Sequence, residues 1–160
     1  MDFLLDLQAL SDFLSTSMRL SIPIIFAAVG GVISERSGVF NIALEGCLLG
    51  GAFGAAVGAY VMGTPFGGLF LGLAVASFAG LILAALAVGL AINQLVAGIA
   101  INILMIGLTS YLARLILGAD ATETLPGFAP LAIPLLSSIP VLGQVLFTQD
   151  LLTYLMYFLV

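Results

Sequence analysis

The sequence predicts an all-α, polytopic transmembrane helix bundle with one broken helix near residues 35–46, and three observations carry that prediction. Of 160 residues, 62% are hydrophobic and 7% charged, with a mean hydropathy of +1.32; a soluble domain has roughly 45–50% apolar and about 25% charged residues. A chain so poor in charge has no means of covering a surface that faces water. The apolar residues fall into runs near the roughly 20 residues that cross about 30 Å of hydrocarbon. Within two of those runs small residues recur every fourth position, the spacing that places them on one helix face.

Residues 1–16 mix Leu and Phe with Asp2, Asp6 and Asp12 and are predicted as an interfacial amphipathic helix. Acidic rather than basic flanks argue against a cleaved leader. A first span is predicted over 19–34; it contains Pro23 and ends in Ser34-Glu35-Arg36-Ser37-Gly38. Further spans are predicted over 42–62, 66–92 and 95–117, within a single transmembrane domain. Gly63-Thr64-Pro65 and Asn93-Gln94 mark the breaks between them. Residues 118–148 hold Pro126, Pro130, Pro134 and Pro140 with Asp120 and Glu123. Repeated prolines forbid a long regular helix, so an ordered extracytoplasmic loop with one short surface helix is expected. Another span starts at 150–160. Ten residues cover only about 15 Å as a helix, so the chain is expected to be truncated.

Arg36 favours a cytoplasmic turn between the first two spans. The N-terminus, the Gly63-Thr64-Pro65 turn and the 118–148 loop then lie outside, against the dissent of Arg19 and Arg114. A formal charge of −5, from eight acids and three cations with no His, excludes nucleic acid, which is held by Lys and Arg. It excludes a polybasic membrane-surface protein too. The single cysteine, Cys47, reads as a small packing residue. No metal or cofactor is expected. No nucleophile has a base beside it, and no phosphate-binding glycine loop ends in Lys, so energy for any uphill work would come from another chain.

The second span carries Gly46, Gly50, Gly54 and Gly58; the third carries Gly68, Gly72, Ala76, Gly80 and Ala84. Such stripes let helix backbones approach closely in lipid, and close packing is the expectation. Ionisable groups in lipid are expensive and face a protein interior or a water-filled path. Glu45 is the clearest case, one turn after Asn41 on the same face. One reading makes 35–46 a broken helix of the kind found at transport pathways, with Arg36 neutralising Glu35 or Glu45. The other places Glu45 near the headgroups, favoured by the helix dipole. Asn93 and Gln94 read as turn or cap residues. Asn102 is expected to face another helix, a structural role ranking above a solute contact.

The segment from Ser34 to Gly46, Ser-Glu-Arg-Ser-Gly-Val-Phe-Asn-Ile-Ala-Leu-Glu-Gly, resembles permease subunits of bacterial ABC importers for nucleosides and simple sugars. These belong to the wider branched-chain amino acid and ribose permease family. The run from Asn93 to Asn102 and the loop from Pro130 to Pro140 are similar to that group as well. The resemblance implies a subunit of the cytoplasmic membrane working with a second permease subunit, cytoplasmic ATPase subunits and an extracytoplasmic solute-binding lipoprotein. It implies a family length about twice this one, with the ATPase-coupling helix beyond Val160. On this reading Asn41, Glu45 and Asn102 are candidates for the translocation path, and Glu35, Arg36, Asn93 and Gln94 for a gate or turn cluster. Nucleosides are the favoured cargo, ahead of sugars and branched-chain amino acids. Readings of another class are a structural or assembly membrane protein, which has little use for Glu45 beside Asn41, and a partner-free channel, which would want a continuous polar helix face. An intramembrane enzyme ranks last.

Overall fold

The structure, a computed structural model, describes residues 2–118, 124–133, 137 and 142–160. Asp120, Glu123, Pro134 and Pro140 lie outside the described residues, as do the side chains of Asp2 and Asp6. Helix α1 spans Asp2–Arg36, α2 Leu44–Met62, α3 Pro65–Ala84 and α4 Gln94–Ile116. Two short strands, β1 (Leu131–Ala132) and β2 (Thr148–Gln149), flank the short helix α5 (Leu142–Leu146), and α6 covers Leu151–Leu159. The fold is all-α. Four stretches are long and apolar enough to cross a membrane: Leu7–Arg36, Leu44–Met62, Pro65–Gly89 and Gln94–Ile116. The chain divides into two compact units, residues 1–28 with 128–160, and residues 29–127.

Helix α1 is continuous where the sequence predicts an interfacial helix followed by a separate span. No breaker stands between the two. The hydroxyls of Ser17 and Ser21 donate to the carbonyls of Phe13 and Met18 at 2.8 and 2.7 Å, an arrangement compatible with helix. Pro23 removes one donor without ending α1. The end comes at Arg36, where Gly38 takes φ +87°. Gly38 N–H donates to Glu35 O at 3.0 Å and Val39 N–H to Ser34 O at 3.2 Å. These are the paired reversed bonds of a Schellman ending, which a glycine at the left-handed position makes possible.

In the unit of residues 29–127, α2 packs chiefly on α3 and secondarily on α4. The α2–α3 turn needs little chain. Gly63, at φ +64°, caps α2 through Ala59 O, and the Thr64 hydroxyl caps α3 by accepting from Gly67 N–H at 3.2 Å. Pro65 opens α3, where its missing donor is harmless. Helix contact then runs along the small residues. A Cβ at Gly54 would lie 2.8 Å from Leu71 O and 3.1 Å from Gly72 Cα, and one at Gly72 would lie 2.9 Å from Gly51 O. At Gly58 it would run into the carbonyl of Gly67. Gly80 differs: a Cβ there meets nothing within 4 Å, so the close α2–α3 approach does not extend to this member of the α3 stripe. The core is built from Ala43, Ala79, Leu83, Ala97, Ile101 and Met105, with Cys47, Ile82 and Leu86 against it.

In the unit of residues 1–28 and 128–160, β1 and β2 pair antiparallel, Leu131 with Gln149 and Ala132 with Thr148. Gln149 is fully buried. Its amide donates to Val145 O at 2.7 Å and to the Ser15 hydroxyl at 3.3 Å, and its carbonyl accepts from Arg19 Nε at 3.3 Å. Tyr154 OH donates to Leu131 O at 2.8 Å. Asp150 caps α6 by accepting from Thr153 N–H at 3.0 Å.

Substituting Gly54 with Leu should separate α2 from α3 and cost about 1–3 kcal/mol or more, the range for overpacking. Gly80→Ala should cost far less. Unfolding titrations of full-length protein in detergent check the contrast; equal losses would show that α2 and α3 do not meet along this stripe.

Candidate functional site

The polar residues singled out in the sequence converge on the chain between α1 and α2, Ser37 to Ala43. This connector cannot bond like a helix, yet Ala43 within it is fully buried and belongs to the core. Backbone donors and acceptors left bare beside lipid cost several kcal/mol each. Their partners come partly from the connector itself. Ser34 Oγ donates to Val39 O at 2.8 Å, and Asn41 Oδ1 accepts from Ala43 N–H at 3.1 Å, a local turn typical of asparagine.

The remaining partners come from α4. Gln94 Oε1 accepts from Phe40 N–H at 2.7 Å, and its Nε2 donates to Gly38 O at 3.4 Å. Two turns on, Asn102 Oδ1 accepts from Gly46 N–H at 2.7 Å while Nδ2 donates to Ile42 O at 3.0 Å. An amide side chain offers an acceptor and donors a fixed distance apart, and only this orientation satisfies both backbone groups. Midway, Gly98 lets the connector lie against α4: a Cβ there would sit 2.7 Å from Ile42 Cβ and 3.2 Å from Ala43 N. Gln94, Gly98 and Asn102 are spaced four apart and share one face of α4.

Helix α4 starts from an unusual turn. After Ala84 the chain widens into a π-type turn, Ala85–Gly89, in which Leu90 N–H reaches back to Ala85 O at 3.0 Å. Ala91 then takes φ +53°, a left-handed conformation that costs a residue with a Cβ roughly 1–2 kcal/mol. Asn93 caps α4 by accepting from Leu95 N–H at 2.9 Å. Gln94 is thereby delivered to the connector at the first position of the helix.

The structure brings Asn41, Gln94, Asn102 and Gly46 together through backbone hydrogen bonds. Asn93 serves as a cap, while Gln94 does more than turn the chain. Glu35, Arg36 and Glu45 are exposed, and among the described residues no ion pair joins them. Gly98 was missed in the sequence, although its place midway between two amides on one face was a readable signal. The π-type turn and the Ala91 conformation had none, because Ala-Leu-Ala-Val-Gly reads as ordinary apolar helix. Gln149 was missed too, since a lone Gln near a proline-rich loop reads as surface.

A multi-pass membrane protein whose first two spans are separate helices, rather than one broken helix over 35–46, with their connector clamped by amides from a neighbouring helix, is the class that this fold and site define. Residues 13–160 match the family described as the branched-chain amino acid transport system / permease component, and the chain belongs to that family. It is 36% identical over 149 residues to the guanosine ABC transporter permease protein NupQ of Bacillus subtilis, covering 89% of this chain and 47% of that protein. It is 28% identical over 135 residues to the nucleoside ABC transporter permease protein NupC of Lactococcus lactis, covering 81% and 43% respectively. A Haloferax volcanii protein whose name links it to a glucose ABC transporter is 28% identical over 146 residues, covering 89% and 43%. The chain thus spans less than half the length of these relatives. No solved structure matches it. It is a multi-pass protein of the bacterial cytoplasmic membrane.

Gln94→Leu should leave Phe40 N–H and Gly38 O without their partner and lower stability by about 1–3 kcal/mol. Gln94→Glu keeps the shorter of the two bonds and should lose less. Denaturant unfolding of the full-length protein in detergent ranks them; identical losses would remove the Phe40 bond from the account.

Proposed function

We propose that this chain forms part of the transmembrane permease subunit of an ATP-driven importer, contributing to the translocation path for nucleosides or related sugars. The observation that carries this reading is the clamped break between α1 and α2. It is a polar, irregular backbone segment packed against α4, and irregular backbone at membrane depth is kept where it is buried in protein or lines a water-filled path. The relatives named for guanosine and nucleoside transport favour nucleosides over branched-chain amino acids as cargo.

Within that reading the polar residues divide by their partners. Glu45, exposed in the first turn of α2, is the side chain offered to the path. Asn41 and Asn102 shape the backbone beside it. Glu35, Arg36, Asn93 and Gln94 gather at the two adjoining turns and form the gate cluster. The subunit is passive. ATP hydrolysis resides on cytoplasmic ATPase partners, and a second permease subunit and an extracytoplasmic solute-binding lipoprotein complete the importer.

The test is uptake of labelled guanosine by cells expressing the full-length gene with its partner subunits. Uptake that leucine fails to compete and that other nucleosides do compete supports the proposal; leucine uptake instead would move the cargo to branched-chain amino acids. Glu45→Gln and Asn41→Ala should each lower uptake about tenfold, a barrier change of about 1.4 kcal/mol, with membrane insertion intact. Unchanged uptake in well-inserted variants would take both residues out of the path.

A further inference from the structure

We infer that the Asn102 carboxamide is a wedge that stops α2 one rung short at its N-terminus, and that this end has a second state in which Gly46 N–H closes directly onto Ile42 C=O. In an α-helix each N–H bonds the carbonyl four residues back. The pair one step along obeys this rule, Cys47 N–H meeting Ala43 O at 2.9 Å. For Gly46 the carbonyl four back is that of Ile42. Both groups are turned to Asn102 instead, at 2.7 and 3.0 Å. Ile42 lies just ahead of Ala43, the cap of α2, and the first N–H groups of a helix have no partner within it; one side chain from α4 therefore takes the place of the rung that would extend α2 by one residue.

The surroundings are shaped for the insertion. A Cβ at Gly46 would lie 2.9 Å from Asn102 Oδ1 and 3.2 Å from Asn102 Cα, so only glycine admits the wedge at this depth. Gly98 does the same for Ile42 one turn away. In the wedged state the two backbone groups and the carboxamide are all satisfied. In the closed state the backbone groups satisfy each other, and Asn102 needs partners elsewhere. The choice between states is thus coupled to the position of α4 against the connector. Closing the rung draws Ile42 toward α2 and pulls on Phe40, whose N–H is held by Gln94 at 2.7 Å. Asn41 and Glu45 flank the rung and move with it. Asn102 is accordingly a positioning residue for the segment assigned to the solute path; that last step rests on the importer reading, while the wedge itself does not.

The test uses the full-length permease in its assembled complex, in lipid nanodiscs, with residue-resolved amide hydrogen exchange. In Asn102→Leu the Gly46 amide should stay within about threefold of its parent rate because it finds Ile42 O, while Phe40 should exchange at least tenfold faster as the connector is drawn away from Gln94. A hundredfold rise at Gly46 with Phe40 unchanged would mean an orphaned group and no second state, and would overturn the inference. Asn102→Ala, which cannot clash, is read by the same two amides should Asn102→Leu fail to assemble. For transport, Vmax should fall at least fivefold with KM within twofold; an unchanged Vmax in a variant with a protected Gly46 would overturn the positioning role. Absence of nucleoside uptake in the parent would sink the importer reading and leave the two amides to decide the wedge.

Discussion

Everything in the unit of residues 29–127 depends on one requirement, that the backbone polar groups between Arg36 and Leu44 find partners outside a helix. A helix satisfies itself, and a loop in water is satisfied by solvent. The connector does not bond as a helix, and at its Ala43 end, wholly buried in the core, solvent does not reach it. Its groups are met by a Schellman ending on α1, an asparagine turn at Asn41, and two carboxamides from α4. Net hydrogen-bond strength is modest, about 0.5–1.5 kcal/mol each, but leaving such groups bare is far more costly. The clamp exists because the alternatives are worse.

The rest of the packing serves that clamp. Carboxamides are short, so α4 must approach the connector closely, and Gly98 and Gly46 permit it. Helix α2 must in turn be held firmly enough for its first turn to be worth clamping. Its Gly50, Gly54 and Gly58 face supplies that hold against α3 and α4 by dispersion, the main force between helices in lipid. A strained turn at Ala91 and a cap at Asn93 set the start of α4, so that Gln94 arrives at Phe40. Packing, capping and strain are thus parts of one arrangement centred on an irregular segment.

Much of this was legible in the sequence, for physical reasons that can be named. Span lengths reflect hydrocarbon thickness, the Gly63-Thr64-Pro65 break reflects residues that turn a chain, and the four-residue spacing pointed to close packing without naming the partner helix. The polar segment 34–46 stood out because lipid makes polarity expensive. Other features were hidden because they depend on partners distant in the chain. Nothing in Gln94 or Asn102 alone says that each will grip backbone 54 to 60 residues away, and Gly80 carries the same spacing as Gly72 without a neighbour to meet. The continuity of α1 was hidden for the opposite reason: acidic residues suggested a boundary, but no breaker enforced one.

The most direct test of the central claim is amide hydrogen exchange across residues 34–46 of the unmodified full-length protein in lipid nanodiscs. The account predicts that Phe40 and Gly46 exchange as slowly as amides in the middle of α3, because α4 holds both. Exchange at both sites as fast as in an unstructured loop would show that the connector is open to water, and the clamp would have no part in the protein's architecture.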